Sequence, residues 1–162
     1  MVDVLGRQIA EIDQALQELL SEVAPQLEQL ESIPGVSDIT ARDIVAEIGL
    51  DRSRFGSAAR LAAGAGLSPG NHESAGKRRK GRTRKGNKYL RRVLVQCAWA
   101  TRKTSTFLGR TFRRLEARLG SKKAAMAVAH TILVIISHLL LEGTFYEEER
   151  YDRLLPKQEE SP

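Results

Sequence analysis

The residues with chemistry to offer lie in one stretch, Gly66-Leu67-Ser68-Pro69-Gly70-Asn71-His72-Glu73-Ser74-Ala75-Gly76-Lys77, which runs on through Gly81 and Lys85-Gly86-Asn87 to Tyr89-Leu90-Arg91 and Leu94. One hydroxyl, Ser74, stands directly before ten bases among the sixteen residues Lys77 to Arg92. Such a segment can fold around phosphate while a serine oxygen approaches it. Arg guanidinium groups would neutralise charge developing on a phosphoryl group under attack, and the amino end of a helix after Asn87 would add its dipole. A serine hydroxyl is weakly acidic and needs a base or a metal to become a nucleophile. His72 is the nearest base in sequence, although nearness along a loop does not establish hydrogen-bond geometry. On composition alone an exposed loop serine is more often inert, and the segment is then simply a polyanion-binding loop.

The charge distribution favours a polyanion in either case. The net charge of +6 conceals a segment from Lys77 to Lys123 with 18 Lys/Arg and the single acid Glu116, set against flanks that are acidic overall. A block this concentrated serves a nucleic acid more readily than a dispersed basic surface would. The expected phosphate contacts are Lys77, Arg78, Arg79, Lys80, Arg82, Arg84, Lys85, Asn87, Lys88, Arg91 and Arg92.

The elements that must position this loop read as helices. Apolar residues recur at Leu5, Ile9, Ile12, Leu16, Leu19 and Val23 in alternating steps of four and three, a heptad seam that needs a partner. It fits an amphipathic helix packed on its own domain or a short dimerising coiled coil. Pro25 is expected to kink this helix or to start a new one. A helix then ends near Ser32, Ile33 to Val36 makes a tight turn, Ser37 or Asp38 caps, and a second helix runs to Gly49. Two helices joined by a Pro-Gly turn resemble a helix-hairpin-helix, whose turn amides at Gly35, Val36 and Ser37 would bind phosphate; a plain αα-hairpin is the alternative.

Further along, Ala-rich Ser57 to Leu67 reads as a short packed helix, and Ser68 to Lys85 as a long unpatterned loop of the kind that is usually functional. Asn87 caps a helix with the apolar face Leu90, Leu94, Cys97, Ala98 and Thr101. Another helix spans about Ser105 to Leu119. Ser121 is expected to cap a long helix to Leu141, and the acidic tail beyond Tyr146 to fray. Ala124 to Leu141 has no residue charged at neutral pH with neutral histidines, so it fits a membrane span or a buried central helix; the amphipathic helices around it favour the latter.

A chain of 162 residues with 28% charged and 41% hydrophobic residues suits one domain with appendages. The aromatic content of 5% disfavours a β-sandwich, and the lone Cys97 excludes an internal disulfide and any multi-cysteine metal site. With no secretory signal visible, a cytoplasmic protein is expected. The expected fold is all-α: a coiled-coil helix at 1–31, a unit at 32–146 containing the hairpin (26–49) and the basic loop (68–86), and an acidic tail at 147–162.

Several separated motifs also occur together: Ile-Pro-Gly-Val with Thr40-Ala41, Gly-Leu-x-Pro, a serine five residues after the proline, Lys-Gly-Asn, Tyr-Leu-Arg-Arg, and the downstream apolar helix. In this order they resemble the C-terminal domain of the insertion-sequence transposases related to the Piv DNA invertase, which include the bridge-RNA-guided recombinases. The resemblance covers roughly residues 1 to 146. It implies DNA strand exchange through a serine nucleophile matching Ser74, with DNA as partner, a guide RNA as a further one, and a homo-oligomer through the coiled coil. The family's usual Ser-Gly reads Ser74-Ala75-Gly76 here. It also implies an N-terminal ribonuclease-H-like domain holding divalent metal, expected to be Mg. This chain shows no strand-helix alternation for such a domain, and its own Asp residues fall on helices, their ends or turns, so it is expected to be catalytically incomplete alone. The rival expectation is a non-catalytic nucleic-acid-binding module or a decayed transposase remnant.

Overall fold

Four of the helices begin at a side chain that accepts a backbone N–H. The structure, a computed structural model, describes residues 1–51, 57–67, 73–74, 77–78 and 86–153; for 73–74 and 77–78 the backbone alone is described. The helices are α1 (Val2–Glu31), α2 (Asp38–Ile48), α3 (Ala58–Gly64), α4 (Lys88–Thr101), α5 (Phe107–Leu119), α6 (Ser121–Glu142) and α7 (Glu148–Asp152), so the fold is all-α. Within the basic loop, β1 (Glu73–Ser74) and β2 (Lys77–Arg78) make a minimal antiparallel pairing, Glu73 opposite Arg78 and Ser74 opposite Lys77. Among its described residues the stretch read as unpatterned therefore contains a short strand pairing.

Ser37 caps α2 reciprocally: Thr40 N–H donates to Ser37 Oγ at 3.3 Å and Ser37 N–H to Thr40 Oγ1 at 2.8 Å. Ser57 caps α3, Asn87 caps α4 and Thr106 caps α5. Ser121 departs from expectation. It is the first residue of α6, whose N-cap is Gly120, and α6 has no side-chain cap. Gly120, with φ +81°, turns the chain between α5 and α6 too tightly for a cap outside the helix.

The core gathers around α6, which packs against α1, α3, α4 and α5. Eleven of its residues are buried, including Val128, Ile132, Ile135, Ile136 and Leu139. By length and composition Ser121–Glu142 could cross a membrane. Most of its apolar surface packs on the neighbouring helices, the arrangement expected at a bundle centre. The α4 face Leu90, Leu94, Cys97, Ala98 and Thr101 is buried as its periodicity predicts, and burial pushes the Cys97 thiol up from its ordinary range. Trp99 and Phe112 lock α4 to α5 with ring centroids 5.2 Å apart.

Two features differ in length from expectation. Pro25 lies inside a continuous α1 rather than opening a new helix; the helix forgoes one N–H bond there, and the packing of Leu27 and Leu30 carries it through. The acidic tail does not fray at Tyr146. Residues 148–152 form α7, and Tyr151 is buried against Phe107 and stacked on Tyr146. Glu148 then accepts the Phe107 N–H at the start of α5 and pairs with Arg110, which also pairs with Asp152. An acid at a helix N-terminus is favourable, so this tail supplies the anion that the first turn of α5 lacks in its own sequence. Desolvation, with the hydrogen bond to Glu148, holds the Tyr146 phenol above the usual tyrosine range.

Candidate nucleic-acid interface

The basic loop is closed at its base by backbone packed on backbone. It leaves from the C-terminal end of α3, where Leu67 N–H donates to Ala62 O at 2.9 Å and Leu67 is buried. It returns to the same place: Asn87 N–H donates to Gly64 O at 2.7 Å. Gly86 sits so close to that turn that an added Cβ would lie 2.6 Å from Ala65 C and nearer still to Gly64 O and Gly66 N. Only glycine fits. The glycine of Lys-Gly-Asn is thus the clasp that holds the two ends of the loop together.

Asn87 completes the clasp. Its Oδ1 accepts from Tyr89 N–H at 3.0 Å and Leu90 N–H at 3.1 Å, which starts α4, while its Nδ2 donates to Glu47 Oε2 at 2.5 Å, which ties the loop exit to α2. All of its side-chain capacity seen here serves the fold. Beside it Glu47, Ile48, Arg60, Leu61 and Leu90 line a cavity of about 450 Å³ at the mouth of the loop.

The expected site residues sort as follows. Ser74 is in β1, with Lys77 and Arg78 in β2, and their backbone pairing sets Ser74 directly across from Lys77. His72, Arg79, Lys80, Arg82, Arg84 and Lys85 lie outside the described residues. Lys88, Arg91 and Arg92 share one side of the first turns of α4, at spacings of three and four. Lys88 and Arg92 are exposed and Arg91 is half-buried. No acid lies in that first turn, so three bases crowd the positive end of the helix dipole, an arrangement that a bound anion relieves.

The Ile33-Pro34-Gly35-Val36 turn faces inward. Gly35 has φ +87°, and a Cβ there would stand 2.6 Å from Cys97 O and Thr101 Cγ2. Val36 is buried and its N–H donates to Ile33 O at 3.0 Å, while Ser37 N–H is taken by Thr40. The turn docks the α1–α2 hairpin on α4, and the amides of Val36 and Ser37 are used within the chain.

Sequence reasoning passed over the turn between α4 and α5. Arg113 Nη1 donates to Arg102 O at 2.8 Å and Thr104 O at 2.7 Å, and Arg102 pairs with Glu116 at 2.8 Å. Together with Lys103 and Ser105 these residues line an open hollow of about 560 Å³. The signal was present in the charge count, but a turn between two helices carries no motif of its own.

The comparison with curated proteins found no match to this chain. The protein-family model described as Transposase IS116/IS110/IS902 family matches residues 27–112, more than half of the chain, from the buried end of α1 through the hairpin turn, the basic loop and α4 to Phe112 in α5. The clasped basic loop thus lies within the matched region, and the chain belongs to the Transposase IS116/IS110/IS902 family.

Proposed function

We propose that this chain is the DNA-binding, serine-bearing part of its transposase, and that Ser74 is the nucleophile of strand cleavage and transfer. The observation that carries the reading is the clasp: a loop with Ser74 at its start and a run of bases behind it is held shut at Gly86 inside the region that matches the family. Fixing both ends of a loop removes conformations from the chain between them and so lowers the entropy cost of binding relative to a free segment.

In the proposed step the Ser74 oxygen bonds to a DNA phosphorus as the bond from phosphorus to one sugar oxygen breaks. The serine proton passes to a base, for which His72 is the candidate, and a proton returns to the departing sugar oxygen. The phosphoserine ester keeps the energy of the broken phosphodiester. Attack by another strand's hydroxyl restores the diester and frees Ser74, so no nucleotide triphosphate is consumed. Among the described residues no group of three His, Cys, Asp or Glu gathers that could hold a metal. The divalent metal that the resemblance implies would be held by a ribonuclease-H-like partner domain. A guide RNA is a further partner of this reading, and acting on DNA places the protein in the cytoplasm.

The test is to incubate the chain with that partner domain, divalent metal and duplex DNA, denature, digest, and weigh the peptides. The peptide containing Ser74 is expected to gain a deoxynucleotide phosphate. A phosphate ester found on another residue, or on none, overturns the assignment.

The exposed arm of α1 belongs to the same reading. Leu5, Ile9, Ile12, Leu16 and Leu19 are all more than half exposed, while only the end of the helix, from Leu20, packs on the core. A heptad seam left open by its own domain is satisfied by the same seam of a second copy. Ile9→Lys with Leu16→Lys removes four apolar side chains from such a dimer, so at about 1.5 to 3 kcal/mol for each buried side chain its dissociation constant should rise by roughly ten-thousandfold or more. Sedimentation across a concentration series reads this, and an unchanged monomer-dimer midpoint rules the coiled coil out.

A further inference from the structure

The basic segment extends well past the loop, and its second half has its own geometry. Along α5, Arg110 is held by Glu148 and Asp152, Arg113 by two backbone carbonyls, and Arg102 by Glu116. Those cations are spoken for. Lys103, Arg114, Arg118, Lys122 and Lys123 are exposed, and among the described residues no acid pairs with any of them. Four of the five fall within the ten residues 114–123, on the last turns of α5 and the first turn of α6. Arg114 and Arg118 stand one above the other, about 6 Å apart along the axis at 1.5 Å per residue. Lys122 and Lys123 follow directly after the Gly120 turn.

The placement of the two lysines runs against the fold's own electrostatics. They occupy the first turn of a 22-residue helix that has no acid in that turn and no side-chain cap, so the positive end of the dipole adds to their charge. The contrast with α5 is direct, because α7 brings Glu148 to the α5 N-terminus and nothing comparable reaches α6 among the described residues. Uncompensated cations at an uncompensated helix end are stabilised when an external anion arrives.

We propose that the α5–α6 corner, centred on Arg114, Arg118, Lys122 and Lys123 and flanked by Lys103 at the hollow, is a second docking surface for the phosphate backbone of duplex DNA, separate from the loop. This rests on the reading of the chain as DNA-binding. Charge complementarity selects a polyanion. The exposed side of α5, Arg113, Arg114, Ala117, Arg118 and Leu119, carries no aromatic ring on which an unpaired base could stack, so the surface suits a duplex backbone rather than a single strand. All four central cations lie beyond Phe112, where the family match ends; the corner is thus an addition to the matched region rather than part of it.

The test compares the full chain with two variants, one at the corner (Arg114→Gln, Arg118→Gln, Lys122→Gln, Lys123→Gln) and one in the loop (Arg79→Gln, Lys80→Gln, Arg82→Gln, Arg84→Gln). Each is titrated with the same short DNA duplex, and with an RNA duplex of matched length, over a series of salt concentrations. If all four cations meet phosphates, the corner variant should lose about 3 to 4 units of the slope of log affinity against log salt, and at least about tenfold in affinity near physiological salt. Helical content and melting temperature should stay at wild type. Acylation of Lys122 and Lys123 in the unaltered chain should slow when duplex DNA is bound. A corner variant with wild-type slope, beside a loop variant that loses binding, overturns this proposal and leaves the loop reading intact. Wild-type protein that shows no salt-dependent DNA binding overturns both. An RNA duplex bound more tightly than DNA, with the same loss at the corner, overturns the choice of DNA, and a corner that binds neither duplex but still retains an acidic protein partner overturns the choice of nucleic acid.

Discussion

Exchange of Ser74 for alanine is expected to abolish the covalent protein–DNA link in the complemented reaction while leaving affinity for duplex DNA within about twofold of the unaltered chain. Affinity for a polyanion is set mainly by cations meeting phosphates, and a serine hydroxyl carries no charge. The backbone of Ser74 pairs with Lys77 across β1 and β2, and alanine keeps the N–H and C=O that this pairing uses. The substitution therefore removes one oxygen and little else. That oxygen is the proposed attacking atom, so its loss cannot be compensated by neighbours, as the loss of a single arginine can. Denaturing electrophoresis of the trapped complex reads the link, and a salt series on the same protein reads binding. Persistence of the link in the variant, at any residue, removes Ser74 from the mechanism. Loss of link and affinity together would mean that the hydroxyl holds the loop's shape, and would also count against a nucleophile.

How much of this was legible beforehand depends on how local the cause is. Ser37, Asn87 and Gly49 mark helix ends through hydrogen bonds or backbone angles confined to a few residues, and periodicity alone identifies the buried face of α4. What escaped is long-range. Nothing in Lys85-Gly86-Asn87 says that Gly86 will lie on the α3–loop turn, or that the Asn87 amide will reach Glu47 forty residues away. The tail after Tyr146 looks too acidic to fold, yet those acids are what Arg110 and the start of α5 require, and Tyr146 and Tyr151 provide the apolar anchor. The Pro-Gly turn shows the converse. Its sequence pattern suggests phosphate binding, while its tertiary use is close approach to α4. The seam of α1 was visible, and the structure adds that its own domain leaves it uncovered.

The clasp itself yields the largest expected effect on stability, from Gly86→Ala. Around an added methyl carbon the nearest atoms are Gly66 N, Gly64 O and Ala65 C, all backbone, so no side chain can rotate to make room. Relief requires the loop base to open or the end of α3 to shift. Opening breaks the 2.7 Å bond from Asn87 N–H to Gly64 O and withdraws Asn87 from its cap on α4 and from Glu47. One hydrogen bond at about 1 kcal/mol, a cap at about 1 kcal/mol and overpacking at about 1 to 3 kcal/mol together give a loss of roughly 3 kcal/mol or more. For a chain of this size that corresponds to a fall in melting temperature of about 6 to 12 °C. Gly64→Ala is the matched control. It ends α3 with nothing within 4 Å of an added Cβ, so alanine there should be neutral or stabilise by up to about 1 kcal/mol. The two substitutions add the same methyl group within one small region and should move stability in opposite directions or nearly so. Chemical denaturation of both, read by helical signal, decides it. If Gly86→Ala lies within about 0.5 kcal/mol of the unaltered chain, a typical neutral surface change, then the loop base is not a clasp and its ends are free to move apart.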